Sequence, residues 1–182
     1  RKGGQLKMYF CISMKLHEFK YHWKTIRDEF NKLPDPTDHR WVKEDDAPGF
    51  LKWFIWMDNK PLREENLCPK TTNLVRNLHE DIQFAAFSVF MGKCGLAPHT
   101  DTEDNNETYK CTYHLGIRCP DKCFIHHSKD GRMYERDGKE IIFDNRYVHY
   151  AKNESEKGRV IFYMTLNHDR PDIMTRVKRL FT

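Results

Sequence analysis

From Gln83 onward the chain changes period, and that change limits what it can fold into. Residues 84–90, 110–118, 123–127, 132–135, 139–143, 148–152 and 159–166 are short runs rich in β-branched and aromatic side chains. Turn formers fall between them: Gly92, Gly95, Pro120-Asp121, Asp130-Gly131, Asp137-Gly138 and Gly158. Short strands of even spacing with turns between them bury their apolar faces by closing on themselves. The pattern predicts a mainly β protein built on a double-stranded β-helix, a cupin-like jelly roll, over residues 83–167. Residues 16–80 read as mostly helical support. Leu16, Phe19, Trp23, Ile26 and Phe30 recur at spacings of three and four, an amphipathic helix that Pro34-Asp35-Pro36 ends. Leu74, Val75 and Leu78 outline a second helix over Pro69–His79 with a Thr cap. Between them, residues 52–57 read as a strand with Trp53 and Trp56 on opposite faces, one of them a candidate for a substrate groove. A short basic helix over 171–181, marked by Ile173, Val177 and Leu180, completes a single domain over residues 1–182.

The chain is 38% hydrophobic and 13% aromatic, a globular composition. Its net charge of +4 comes from Lys and Arg interspersed with Asp and Glu, with no basic stripe, which argues against nucleic acid as a partner. No run of eighteen apolar residues is present, so no membrane contact is expected from this stretch itself. The expectation is a soluble domain, cytoplasmic or luminal. The sequence begins at Arg1, and an upstream anchor or targeting segment stays open. Six cysteines show no Cys-x-x-Cys pair, so free buried thiols are expected rather than a zinc site, although Cys119 and Cys123 flank a turn and are candidates for a bridge. Asn106-Glu107-Thr108 and Asn153-Glu154-Ser155 fit the glycosylation pattern, at about the frequency chance gives.

Chemistry concentrates in Ala97-Pro98-His99-Thr100-Asp101, in His149 and in Arg159. His99 and Asp101 stand two apart, so on extended backbone both leave the same face. His149 lies 50 residues further on and has to return through the fold. Two imidazoles and one carboxylate form the ligand set that holds one face of an octahedral Fe(II) and leaves the other positions open. The competing reading is coincidence, because ten histidines are available and a single strand His is often only a hydrogen-bonded structural residue. Arg159 starts the apolar run 159–166 and shares a face with Ile161 and Tyr163. On a surface it would be an ordinary ion-pair residue. Inside a barrel its planar fork needs an anion, and a carboxylate ligand fits.

At this point the order of motifs resembles a known family. Phe87-Ser88-Val89-Phe90, Ala97-Pro98-His99-Thr100, His114-Leu115-Gly116-Ile117, Ile142-Phe143-Asp144, His149 and Arg159-Val160-Ile161-Phe162 are similar to the catalytic domain of the aspartyl/asparaginyl β-hydroxylases, which are 2-oxoglutarate- and Fe(II)-dependent oxygenases. The likeness continues upstream through His22-Trp23-Lys24-Thr25-Ile26-Arg27-Asp28-Glu29, Phe54-Ile55-Trp56 and Pro69-Lys70-Thr71, and covers roughly residues 20–172. The resemblance implies that His99 and His149 are iron ligands, that Ser88 and Arg159 hold the far carboxylate of 2-oxoglutarate, and that His114 lies beside metal and cosubstrate.

Two departures bear on substrate. The best-known members carry Gly where this chain has Asp101, so here a carboxylate is available to complete the triad of His99, Asp101 and His149. They also carry Arg two residues before the His matched by His114, where this chain has Thr112; Lys110 fills the neighbouring basic position, and Arg118 is a candidate replacement for the lost charge. The connection 101–108 is acidic and four residues longer than the resemblance leads one to expect, reading either as a solvated hairpin or as a lid that repels acidic substrates. His126, His127 and His168 read as surface positions rather than a second metal site. What the resemblance implies is hydroxylation of an unactivated C–H, at the β-carbon of an Asp or Asn residue in a peptide or protein or of a small amino-acid substrate. Fe(II), 2-oxoglutarate and O2 would be consumed or held, with release of succinate and CO2. Desaturation or cyclisation would use the same residues, and the competing class is a non-catalytic metal-binding β-barrel, a sensor or scaffold.

Overall fold

The computed structural model describes residues 13–62, 66–101 and 111–166. The expected acidic connection beyond Asp101, with Lys110 and Asn106, and the C-terminal helix with His168 lie outside them. Helix α1 covers 13–21 and α2 is Trp23–Phe30, so the expected single helix is broken once, at His22. Helix α3 is Pro69–Arg76. The strands are β1 Val42–Lys43, β2 Phe50–Met57, β3 Lys60–Pro61, β4 Ile82–Phe90, β5 Cys111–Arg118, β6 Cys123–His127, β7 Gly131–Tyr134, β8 Glu140–Asp144, β9 His149–Asn153 and β10 Arg159–Leu166. They form two antiparallel sheets, ordered β1-β2-β4-β10-β5-β8 and β7-β6-β9, which face each other as a double-stranded β-helix. No described helix is long and apolar enough to cross a membrane.

Strand alternation gives the large sheet two different faces. Phe87, Tyr113 and Phe162 point outward: Phe19 of α1 stacks on Phe162 at 5.5 Å and leans on Tyr113 at 6.1 Å, and Phe30 of α2 meets Phe87 at 5.2 Å. That layer is the main core. The opposite face carries Ser88, His114, Ile161 and Tyr163 toward the small sheet, where Phe50, Phe90, Ile125, Ile141 and Phe143 form a second cluster. The helices therefore seal one side of the sheet and leave the other for a cavity.

Three expectations are corrected here. Helix α3 has no Thr cap: its N-cap is Cys68, which makes no side-chain cap bond. Instead the buried Glu29 of α2 accepts from the backbone N–H of Lys70 at 2.7 Å and of Thr71 at 2.9 Å, a carboxylate set on a helix N-terminus from another element. Trp53 and Trp56 do not fall on opposite faces. A register shift between Phe54 and Trp56 pairs Trp53 with Phe87 and Trp56 with Ala85, so both indoles enter the main core and neither reaches a groove. Arg118 does not turn toward His114 but outward, donating to Asn31 Oδ1 at 2.6 Å across the Phe30 ring. No disulfide joins Cys68, Cys94, Cys111, Cys119 and Cys123, and all of these but the half-buried Cys119 are buried. Asn153, the acceptor of one glycosylation pattern, is buried and its Nδ2 donates to the carbonyls of Phe90, Met91 and Lys157, so that match is accidental.

Residues 95–99 lie along β9 as a further edge of the small sheet. Gly95 bridges to Lys152, Leu96 N–H donates to Ala151 O at 2.9 Å, and His99 and His149 exchange backbone bonds of 3.0 and 2.9 Å. A Cβ on Gly95 would stand 2.7 Å from Ala151 O, so only glycine lets the two backbones approach. Gly95→Ala is expected to destabilise the fold by about 1–3 kcal/mol in urea unfolding, since the obstacle is backbone and cannot rotate away.

Candidate metal centre and its cavity

His99 and His149 become neighbours because their backbones pair directly, and the rings then stand 4.4 Å apart. Each ring is oriented the same way. His99 Nδ1 is 2.8 Å from Ala97 O and His149 Nδ1 is 2.9 Å from Tyr147 O, in both cases the carbonyl two residues before. A carbonyl only accepts, so Nδ1 carries the proton in both rings and the Nε2 lone pairs are left for a ligand. Asp101 is held by its N–H bond to Asn145 O at 3.1 Å, and its Oδ1 lies 3.5 Å from His99 Nε2 and 3.8 Å from His149 Nε2. The three donor atoms all fall within 4.8 Å of one another. Adjacent ligands of an octahedral ion with bonds of about 2.1 Å are ~3 Å apart, so this set fits such an ion after a small contraction. Burial pushes the His149 pKa down, which keeps the ring neutral and its lone pair available. The sequence-derived triad is thus brought together as a candidate Fe(II) set.

The cluster opens on a cavity of about 560 Å³ between the sheets, lined also by Ser88, His114, Thr112, Asn145 and Tyr163. Cross-strand register orders its floor. Thr112 pairs with Thr165 at one end, His114 with Tyr163 in the middle, and Ser88 with Ile161 toward the other. Arg159 lies behind Ser88, fully buried, with Nη1 3.2 Å from Ser88 Oγ and its guanidinium carbon 4.1 Å from the centre of the Phe90 ring. His114 lines the cavity between this pair and the metal cluster.

The anion that Arg159 requires is present in the chain, and it is a residue that sequence reasoning missed. Glu135, just past β7, accepts from Arg159 Nε at 2.7 Å and Nη2 at 3.0 Å, and its Oε1 also accepts from His114 Nδ1 at 3.0 Å. Burial opposes charge on Glu135, but the Arg159 guanidinium and the His114 hydrogen bond overcome it and hold the carboxyl down at about 2. Burial in turn pushes the His114 pKa down against the pull of Glu135. The only sequence signal was a Glu at the end of the run 132–135, which a surface turn would explain equally well. His127 also departs from the surface position expected of it. It is buried, donating from Nε2 to Asp144 O at 2.9 Å, whereas His126 stacks on Tyr150.

Comparison with known proteins gives a consistent answer. The model of the family described as aspartyl/asparaginyl beta-hydroxylase matches residues 20–169. The human and mouse aspartyl/asparaginyl beta-hydroxylases are each 25% identical over 170 residues, covering 87% of this chain but only 21% and 22% of the relatives. The chain thus spans about a fifth of the length of the curated relatives it matches. Among solved structures, an oxidoreductase of the 2OG-Fe(II) oxygenase family from Burkholderia pseudomallei superposes with a TM-score of 0.60 at 12% identity, over 79% of this chain and 77% of that one. A Pseudomonas putida prolyl-4-hydroxylase gives 0.55 at 9% identity, over 80% and 86%. At such identities these two show likeness of fold.

Glu135→Gln should cost about 3–5 kcal/mol, because it strands a buried guanidinium. The wild-type pair also sets a pH dependence. With a folded pKa near 2 against an ordinary 4.5, Glu135 contributes stability above about pH 4.5 that is lost as pH falls toward 2. Thermal unfolding from pH 7 down to 2 should show the variant losing less stability over the acid limb than the wild type does.

Proposed function

This chain belongs to the aspartyl/asparaginyl β-hydroxylase family, and from that premise we propose that it is a 2-oxoglutarate- and Fe(II)-dependent dioxygenase. The observation that carries the reading is the convergence of His99, Asp101 and His149 with both Nε2 atoms freed, on a cavity with Ser88 on its inner wall and Arg159 buried behind Ser88. Bound together, Fe(II) and 2-oxoglutarate supply O2 activation, with release of succinate and CO2 and transfer of one oxygen atom into a C–H bond. The chain's own residues do the rest. His99, Asp101 and His149 would hold the ion and leave it accessible from the cavity. Ser88 Oγ and Arg159 Nη1 orient the far carboxylate of 2-oxoglutarate, and His114, fixed by Glu135, closes the wall beside it. The aromatic rings of Phe50, Phe90 and Phe143 exclude water. The favoured substrate is an Asp or Asn residue of a peptide or protein, or a related amino acid, oxidised at its β-carbon.

One observation favours the alternative of a non-catalytic metal-binding barrel: Glu135 already occupies two donors of Arg159. Three donors remain for a ligand, one N–H on each of Nη1 and Nη2 and the Ser88 hydroxyl, and titration separates the readings. Anaerobic addition of Fe(II) and then 2-oxoglutarate should develop a visible charge-transfer band, and admitting oxygen should yield succinate. Metal binding without band or succinate would establish the inactive barrel. His149→Ala is expected to abolish both metal binding and turnover. Ser88→Ala should raise the 2-oxoglutarate requirement by about 3–10-fold, the worth of one hydrogen bond, while Fe(II) affinity holds. Ser88 is a cleaner probe than Arg159, whose removal would leave Glu135 buried and unpaired.

A further inference from the structure

The outer end of the cavity carries two buried polar atoms with no partner. Thr112 Oγ1 and Asn145 Oδ1 are both solvent-free and unbonded, in residues 4% and 1% exposed that line the cavity. An unpaired buried polar atom costs about 1–3 kcal/mol, so such a pair is kept where something completes it. Their placement is fixed by the sheets. Thr112 stands two residues before His114 on the same face of β5, about 7 Å further out, opposite Thr165 of β10. Asn145 follows directly on Asp144, which pairs with Cys111 beside Thr112. Thr165 in turn donates to Gln83 Oε1 at 3.4 Å, so this end is walled by neutral amides and hydroxyls.

Charge is lacking here in a telling way. Lys52 is the one lysine or arginine among the described residues lining the cavity; it is ion-paired with Glu44 and lies opposite Ser88, at the inner end. Arg146 is next to Asn145 but faces solvent, clamped by both oxygens of Asp144. A carboxylate brought to Thr112 and Asn145 would lose its hydration without a counter-charge and could not donate to an amide oxygen. An ammonium group could donate but not accept. A primary carboxamide does both, and it pairs with Asn145 whichever way the Asn145 amide is turned.

We propose that Thr112 and Asn145 form a recognition subsite for the uncharged primary carboxamide of an Asn or Gln side chain, selecting it over the corresponding carboxylate. This rests on the oxygenase reading above and gives that site its substrate class.

The test is peptide binding, which needs no turnover. Four peptide libraries with random flanks and a fixed central Asn, Gln, Asp or Glu are incubated, without oxygen, with the immobilised protein in the presence of Fe(II) and 2-oxoglutarate. Capture of the Asn or the Gln library about tenfold or more above its acidic counterpart is expected, and the better of the two sets the side-chain length. Equal capture, acidic preference or no capture overturns the subsite. Thr112→Arg should reverse the preference toward the carboxylate. Thr112→Val, which keeps shape and removes only the hydroxyl, should reduce the discrimination; if neither variant changes it, Thr112 is not a determinant. Succinate formed by the wild type from 2-oxoglutarate alone is scored separately. Its absence beside intact Asn or Gln selection counts against the oxygenase reading, and its presence without selection counts against the subsite.

Discussion

A guanidinium with no access to water has to be neutralised where it stands, and the inner half of this fold is built around that requirement. Arg159 belongs to the large sheet, while Glu135 arrives on a segment whose N–H bonds to Cys123 O at 3.0 Å in the small one. Their two-pronged bond therefore joins the sheets at one end of the barrel. Because Glu135 Oε1 also accepts a hydrogen bond from His114 Nδ1, the same carboxylate fixes an imidazole on the cavity wall. Buried ion pairs rarely add net stability over an apolar core. What this one provides is position: Arg159 keeps one donor directed at Ser88, and His114 keeps one ring edge toward the cavity.

The metal cluster is held by a different device. Backbone pairing of 95–99 with β9 brings two histidines from opposite sides of a long connection into register, and the carbonyls two residues earlier orient both rings alike. The ligand geometry is a property of main-chain ladders, which repeat more accurately than side-chain packing does. Asp101 sits at the edge of that ladder, tied by a single N–H bond, and is the most exposed of the three. It is the candidate ligand whose position the sheet constrains least.

Much of this was legible in the sequence because it follows from short-range physics. Strand runs and turn residues located β2 and β4 to β10 within two residues, and the spacing of two between His99 and Asp101 put both on one side; the short strands β1 and β3, in the stretch expected to be mostly helical, carried no such run, and β1 to β3 extend the large sheet beyond the expected 83–167. Ser88, Ile161 and Tyr163 share the cavity face by simple alternation. What could not be read depends on contacts across the fold. The period of two fails at Trp56 because a bulge slips in before it. The cap of α3 is Glu29, some forty residues away in sequence. His127 looked like a surface residue because nothing local announces the Asp144 carbonyl that accepts its proton. Arg159 was legible as a buried charge needing an anion, but the internal anion was not, since a lone Glu after a strand has no pattern of its own.

That internal anion changes how a carboxylate ligand would be recognised. With Glu135 ionised, the inner end is already neutral, so under the proposed assignment the far carboxylate of 2-oxoglutarate is not drawn in by net charge. It would be selected by direction, through Ser88 Oγ and Arg159 Nη1, oriented because Glu135 holds Nε and Nη2. The outer end follows the same logic with no lysine or arginine among its described lining residues, as Thr112 and Asn145 present fixed polar atoms to whatever completes them. Between a neutralised inner end and an outer end without a lysine or arginine among its described lining residues, an ion held by His99, Asp101 and His149 would be the strongest local charge in the cavity. Placement of both ligands then depends on hydrogen-bond geometry about the ion rather than on electrostatic attraction to the walls.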